Sequence, residues 1–323
     1  MRAARVEEVG GSPRAAEAAD PEPAGGEALI EVTAAPLNPI DLAIAAGRFY
    51  GGVPEVPYVP GMEGVGRVLE GDSQAAGATV RFETPGGLGG QGSIAERAVT
   101  AEERLIELPE GTDDALAACL GVAGLAAWLA LEHRARLGEG ETVLVLGASG
   151  AVGQVAVQAA RLLGAGRVVA AARSAEGLDR ARELGADATV ELGEEDDPEA
   201  VGERLREAAG GDVHVTVDPL WGDHVVAAAH AAADEGRIVA LGQSGGPEAG
   251  IPSSLVRGKL LVILGHTNLK TPHEVVAAAY RRLLEHASAG RLEVEYEVLP
   301  LDRVAEAWER QADFPGLKLV IRP

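Results

Sequence analysis

Residues 142–160 constrain the fold of this 323-residue chain more than any other stretch. Thr142-Val143-Leu144-Val145-Leu146 is uncharged and aliphatic, the composition of a strand buried on both faces. Gly147-Ala148-Ser149-Gly150-Ala151-Val152-Gly153 comes next as a tight turn. Gln154 to Ala160 then opens an apolar helix. A turn without large side chains lets backbone N–H groups and the positive end of the following helix come close to an anion, and this strand–turn–helix order is the one that receives the pyrophosphate of a dinucleotide. Gly147, Ala148, Ser149, Gly150, Ala151, Val152 and Gly153 are therefore expected to line a cofactor, with Gly150 and Gly153 nearest the phosphates.

In a chain with 43 glycines such a turn carries little weight alone, so the segments beyond it decide. Arg167–Ala172 reads as a second strand, and Ser174-Ala175-Glu176 opens a helix running to Leu184. Strands near Ala188–Leu192, Val213–Asp218 and Arg237–Leu241 then alternate with helices near Pro198–Ala209 and Asp223–Ala233. Alternation of this kind implies an α/β fold, a doubly wound parallel sheet covered on both faces.

The end of the second strand bears on which dinucleotide is bound. A carboxylate there accepts hydrogen bonds from a ribose 2′-OH and repels a 2′-phosphate. Here stand Arg173, a planar cationic fork, and Ser174, a hydroxyl at a helix start; both suit a phosphate dianion. The expected cofactor is NADPH. The competing reading has Arg173 solvated and Ser174 as a plain helix cap.

A formal charge of −22 argues against nucleic acid and against an anionic membrane surface, since both would repel the chain. The N-terminus Met1-Arg2-Ala3-Ala4-Arg5-Val6-Glu7-Glu8 has no apolar core of a signal peptide. The longest apolar run, about Gly121–Leu131, is expected to fall short of the roughly 20 residues that cross a bilayer. Cys119 is the only cysteine, so no internal disulfide forms. These features fit a soluble, cytoplasmic protein.

Residues 1–118 differ in texture. Glu27–Ala34, Val65–Glu70 and Thr79–Phe82 read as short strands punctuated by Pro and Gly, pointing to a compact β domain. Leu292–Pro323 supplies another strand, a helix around Val304–Ala312 and a final strand Lys318–Ile321. The expected organisation is a first domain of residues 1–118, a dinucleotide-binding domain of 119–265 inserted into it, and a return over 266–323.

With these motifs the chain resembles the medium-chain dehydrogenase/reductase superfamily, in its zinc-free quinone oxidoreductase (ζ-crystallin-like) branch. The resemblance covers essentially the whole length. It is carried by Leu37-Asn38-Pro39-Ile40-Asp41, by Val59-Pro60-Gly61-Met62-Glu63-Gly64-Val65-Gly66, by the Ala148-x-Gly150-x-x-Gly153 turn, and by Gly121-Val122-Ala123-Gly124-Leu125-Ala126-Ala127-Trp128. It implies a Rossmann domain inserted into a GroES-like β-barrel catalytic domain, with the active site in the cleft between them. Zinc enzymes of the superfamily carry Cys where Asn38 stands and His where Met62 stands. Cys119 falls near the third ligand position, yet a catalytic zinc needs three protein ligands, so no metal is expected.

Without a Lewis acid, reduction of a conjugated acceptor asks least of the protein. The resemblance therefore implies NADPH-dependent hydride transfer to a quinone or an α,β-unsaturated carbonyl. An enoyl-thioester reductase and a cofactor-binding protein of low turnover are the alternatives. Tyr50 is the candidate oxyanion donor, although one counting of the motif places Phe49 there instead. Asn38 is expected to hydrogen-bond the nicotinamide ribose or the substrate, against the plainer role of a turn-stabilising residue before Pro39.

Val122 belongs to the run just before the cofactor domain and is expected to touch the cofactor. The strand-end residues Pro219, Leu220, Leu241, Gly242 and Gln243 are further expected contacts, because ligands of open α/β sheets lie beyond the strands' carboxyl ends. His266 and Thr267, after the apolar stretch Leu260–Leu264, complete the set, with an interface role for His266 as the alternative. In relatives that stretch pairs across a two-fold axis, so the resemblance implies a homodimer. Ala126 replaces a Thr seen in many relatives, and Gly177 a basic residue seen in some.

Overall fold

The computed structural model describes residues 1–71, 76–193 and 196–323. The chain divides into two compact units, Met1–Val122 with Val294–Pro323, and Ala123–Glu293.

The first unit starts with β1 (Arg2–Arg5), β2 (Arg14–Glu17) and the ten-residue β3 (Glu27–Pro36), followed by α1 (Pro39–Ala45). Next come β4 (Glu63–Glu70), β5 (Thr79–Glu83), β6 (Arg97–Ala101), β7 (Ile106–Glu107) and α2 (Asp114–Cys119). In β3 the residues Ala28, Ile30, Val32 and Ala34 are buried and alternate with half-buried ones, the period of a strand with one face on the core. Asn38 precedes α1 and its N–H donates to the Asp41 carboxyl at 2.8 Å, while Pro39 occupies the first turn, where a missing N–H costs nothing.

The second unit contains α3 (Leu125–Leu129), β8 (Thr142–Leu146), α4 (Ala151–Leu162), β9 (Arg167–Ala172), α5 (Ala175–Glu183), β10 (Ala188–Glu191) and α6 (Pro198–Ala209). It continues through β11 (Val213–Asp218), α7 (Asp223–Ala231), β12 (Ala232–Ala240), α8 (Ser253–Gly258), β13 (Val262–Gly265) and α9 (His273–Ser288). Its six strands are all parallel, in the order β10-β9-β8-β11-β12-β13. Both faces are covered. Leu144 and Leu146 join a cluster with Leu205 of α6 and Val225 of α7, while Val143 and Val145, which alternate with them, are equally buried.

The chain then returns to the first unit with β14 (Tyr296–Pro300), α10 (Val304–Ala312) and β15 (Lys318–Arg322). These strands extend its larger sheet, ordered β14-β15-β3-β4-β5-β7 with β6 also pairing β3. Residues nearly 300 positions apart thereby share one core, in which Ile30 and Phe82 pack with Leu299, Trp308 and Ile321.

Three differences from the sequence reading stand out. The second unit runs to Glu293 rather than residue 265, because α9 buries Val276, Tyr280, Leu283 and Leu284 within it. The helix expected to reach Ala233 ends at Ala231, where β12 takes up the chain to pair with β11. Finally, the helical path Asp114–Ala135 is long and apolar enough to cross a membrane by length and composition, contrary to the expectation for the Gly121–Leu131 run. Some 78% of its most apolar window is buried inside the protein, so that apolarity serves packing. Its regularity breaks at Gly121, whose ψ is −113°.

Candidate active site

In the second unit the carboxyl ends of β8, β9, β11 and β12 carry most of the residues expected to bind a cofactor. Gly147 leaves β8 with φ +62°, a left-handed conformation that glycine adopts without strain. A Cβ there would lie 3.1 Å from Leu220 and 3.2 Å from Pro219, so the β11 loop closes directly on the turn. Gly242 is held as tightly, its Cβ position 2.7 Å from the Pro219 carbonyl oxygen. Backbone bonds fasten the loops: Leu241 N–H donates to Asp218 O at 2.7 Å, and Gly245 N–H to Leu220 O at 2.7 Å. His266 N–H donates to Ala240 O at 3.0 Å, which brings the β13 end to the same edge of the sheet.

Gly150 and Gly153 do different work, although both were expected nearest a phosphate. A Cβ on Gly153 would meet the Gly147 carbonyl oxygen at 2.4 Å and Ala148 Cα at 2.5 Å, so its bareness serves the packing of α4 onto the turn. A Cβ on Gly150 would meet only Gly147 O, at 3.6 Å. No side chain caps the start of α4. The first-turn N–H groups of α4 therefore have no side-chain cap, the arrangement that an anion at a helix N-terminus uses.

Beside this turn, Ser174 Oγ accepts from Gly177 N–H at 3.1 Å and caps α5. A Cβ on Gly177 would lie 2.3 Å from Ser149 Cβ, so the absence of a basic residue at 177 has a steric reason. Arg173 is exposed at the end of β9. Asp218, wholly buried at the end of β11, accepts from Leu220 N–H at 2.8 Å and Trp221 N–H at 2.9 Å. Burial pushes its carboxyl up to about 6 despite those two bonds.

His266 sits beyond β13 with Nε2 at 3.0 Å from Asn268 Oδ1, and burial holds its pKa below the ordinary histidine value. Thr267 Oγ1 is turned to Leu269 N–H at 3.4 Å. Gln243 is exposed.

The first unit holds a buried polar chain that sequence reasoning touched only at Asn38. Asn38 is 1% exposed. Its Nδ2 donates to Glu63 Oε1 at 3.1 Å, and its Oδ1 accepts from the Lys318 ammonium, which also donates to Leu37 O at 2.7 Å. The amide orientation follows from chemistry, since an ammonium only donates and a carboxylate only accepts. Both polar ends of Asn38 are thus engaged inside the protein rather than offered to a ligand.

Glu63 Oε2 accepts from Val122 N–H at 2.7 Å and pairs with Arg81 at 3.4 Å; Arg81 also pairs with Glu83 at 2.8 Å. Gly121 leaves the room this needs, for a Cβ there would fall 1.8 Å from Glu63 Oε2. Val122, expected as a cofactor contact, is held by its N–H in this chain. Asp41 Oδ2 accepts from Asn38 N–H at 2.8 Å, and burial raises the Asp41 carboxyl to about 7. Burial pulls the Lys318 ammonium down, while Glu63 supports its charge. Burial pushes the Cys119 thiol up to about 12. One signal in the sequence pointed to Lys318: it opens an apolar strand in a chain with three lysines.

Tyr50 is 74% exposed, its ring 4.2 Å from that of Phe49, which packs against the core. Of the two aromatics left open by the motif, Tyr50 presents its hydroxyl-bearing ring outward.

Among the described residues no group of three or more His, Cys, Asp or Glu is placed to hold a metal ion. The donor set at Asn38, Met62 and Cys119 does not fit one either. The Asn38 oxygen is taken by an ammonium and the Cys119 sulfur stays a thiol at neutral pH.

Comparison with known proteins agrees with this architecture. Residues 24–110 match the alcohol dehydrogenase GroES-like domain, and residues 151–285 the zinc-binding dehydrogenase domain. Quinone oxidoreductase-like protein 2 of Rattus norvegicus is 36% identical over 250 residues, covering 76% of this chain and 69% of that one. Its Bos taurus counterpart is 32% identical over 292 residues, covering 87% and 80%. The crystal structure of the quinone oxidoreductase from Thermus thermophilus, solved also as a complex with NADPH, superposes over 100% of both chains with a TM-score of 0.84 at 30% identity.

Proposed function

The chain belongs to the medium-chain dehydrogenase/reductase superfamily, in its quinone oxidoreductase branch, and from that premise we propose that it is an NADPH-dependent reductase of quinones or α,β-unsaturated carbonyls that works without zinc. One observation carries the cofactor reading: the start of α4 has no side-chain cap, and Gly150 there has room beside it, a Cβ meeting only Gly147 O at 3.6 Å. Arg173, rather than a carboxylate, follows β9, the strand next to β8. The first-turn N–H groups of Ala151, Val152 and Gly153 would hold the pyrophosphate, Pro219, Leu220 and Gly242 would wall the adenosine, and Arg173 would pair with the 2′-phosphate. The bound cofactor supplies the hydride.

The chain's own part in the chemistry is to place the acceptor and to stabilise the oxygen on which negative charge develops. Tyr50 is the residue assigned to that oxygen, as an O–H donor. Asn38 supports the site through its buried chain to Glu63 and Lys318 rather than by direct contact. The donor set at Asn38, Met62 and Cys119 favours the zinc-independent route. A conjugated acceptor suits such a site, because its enolate or phenolate needs hydrogen-bond donors and no Lewis acid.

The test is the loss of reduced-nicotinamide absorbance with 1,4-benzoquinone, an alkenal and crotonyl-coenzyme A, for the protein and for Tyr50→Phe and Arg173→Ala. Turnover with the quinone or alkenal supports the reading, turnover with the thioester alone replaces it with an enoyl-thioester reductase, and tight NADPH binding without turnover leaves a binding protein. Tyr50→Phe should lower kcat by about 10²–10³-fold. Arg173→Ala should weaken NADPH by about tenfold and spare NADH.

We also assign the edge strand β13, with Val262 and Ile263 both exposed, to pairing with a second copy of the chain. Light scattering that gives a monomer mass at micromolar concentration would remove this assignment.

A further inference from the structure

The loop after β11 is folded against the preference of its own residues. Trp221 has φ +59°, the left-handed region that glycine enters freely and a bulky side chain rarely does. Gly222 follows with φ +61°, and a Cβ there would lie 2.7 Å from the Gly245 carbonyl oxygen. The Trp221 ring meanwhile packs on the core that α6 and α7 share with the sheet. Opposing a return to the ordinary backbone is the Asp218 carboxyl. Its Oδ1 accepts from both Leu220 N–H, at 2.8 Å, and Trp221 N–H, at 2.9 Å, while its buried Oδ2 finds no hydrogen-bond partner among the described residues. One oxygen of a wholly buried side chain therefore carries the turn. That turn sets Pro219 and Leu220 against the glycine turn after β8, where a Cβ on Gly147 would lie 3.2 Å from the first and 3.1 Å from the second. Leu220 O accepts from Gly245 N–H at 2.7 Å, so the loop after β12 rests on the same backbone.

Resting on the cofactor reading above, we infer that Asp218 is a positioning residue for the dinucleotide: it holds Trp221 left-handed and so fixes the wall of Pro219, Leu220 and Gly242. Being wholly buried, its carboxyl has no surface for a ligand to meet, and it acts only through that wall. Without the accepting oxygen the peptide at Trp221 relaxes toward the right-handed or extended backbone that a tryptophan prefers, and the wall is complete in only a fraction of the molecules. Apparent affinity falls by that fraction, and because both dinucleotides carry adenosine, NADPH and NADH weaken together. This separates Asp218 from Arg173, whose loss should be felt by NADPH alone.

Titration of reduced-nicotinamide fluorescence with NADPH and with NADH, on the full-length protein, tests this for wild type, Asp218→Asn, Asp218→Leu, Trp221→Gly and the Asp218→Leu/Trp221→Gly double variant. Asp218→Asn keeps the accepting oxygen and should bind both dinucleotides within about threefold of wild type; Asp218→Leu removes it at nearly constant volume and should weaken both by about tenfold. At saturating NADPH the Leu variant should keep kcat with 1,4-benzoquinone within about threefold, the KM for NADPH alone having risen. Glycine needs no help to be left-handed, so in the Trp221→Gly background the change to Leu should cost less than about threefold. A Leu variant that binds like wild type, an Asn variant as weak as Leu, a loss confined to NADPH, or an undiminished loss in the Trp221→Gly background overturns this inference and leaves the cofactor reading standing. Should Asp218→Leu fail to fold, Trp221→Val decides. A β-branched residue resists the left-handed region, so this variant should bind both dinucleotides about tenfold more weakly than Trp221→Gly, and equal binding overturns the inference. A wild type that binds neither dinucleotide brings down this inference and the cofactor reading together.

Discussion

Replacing Glu63 by Gln removes one charge at constant volume and should unsettle the whole buried chain of the first unit. Glu63 accepts on both oxygens, from Asn38 Nδ2 on one side and from Val122 N–H with Arg81 on the other. A glutamine can present its oxygen to only one of those sides. With the oxygen toward Val122, its NH2 meets the NH2 of Asn38; turning the Asn38 amide to relieve that contact sets its NH2 against the Lys318 ammonium. Every arrangement leaves one buried donor facing another, at about 1–3 kcal/mol, on top of an ion pair broken on one side. We expect a loss of about 3 kcal/mol, the lower end of what removing one partner of a buried pair costs. For a unit of about 150 residues, that lowers Tm by roughly 6–12 °C in calorimetry. Lys318→Met in the same background frees the Asn38 amide to turn. The double variant should therefore be less destabilised than the sum of the singles by at least about 1 kcal/mol. Additivity within about 0.5 kcal/mol would show that Asn38 does not couple the two charges.

Gly153→Ala should cost about 1–3 kcal/mol, because its Cβ would land 2.4 Å from a backbone oxygen. Gly150→Ala, with no atom closer than 3.6 Å to the new methyl, should leave urea stability nearly unchanged and yet weaken NADPH binding; the reverse order would exchange the roles of the two glycines. Asp41 has its folded pKa raised to about 7, so between the unfolded value and 7 the native state holds a proton that the unfolded chain has released. Its contribution to stability is complete below about pH 4 and is lost as the pH rises to 7. Asp41→Asn should flatten that decline in thermal melts across pH 4–8. Identical slopes in wild type and variant would mean that Asp41 titrates normally.

Much of the second unit was legible in the chain itself, since each of its strands and helices carries its own period and its own stop. The glycine turn, the apolar β8 and the cap at Ser174 are local features, decided by residues within a few positions of one another. The resemblance of four short motifs to a known family extended that reading to the flanking β unit. Lys318, Glu63 and Asn38 lie 280 and 25 positions apart along the chain, and no periodicity announces that they meet. Leu220 and Gly245 meet for the same reason, through loops at the ends of neighbouring strands.

From the amino acids alone came the alternation of elements, the bareness of the glycine turn and the lack of a carboxylate at the end of β9, because those depend on short-range sterics and on residue type. Tertiary structure decided that Asn38 is spent on a buried ion chain, that Gly153 packs while Gly150 stays open, and that Tyr50 faces outward. Each depends on what distant segments bring to within about 3 Å, where desolvation and hydrogen-bond geometry take over from local preference.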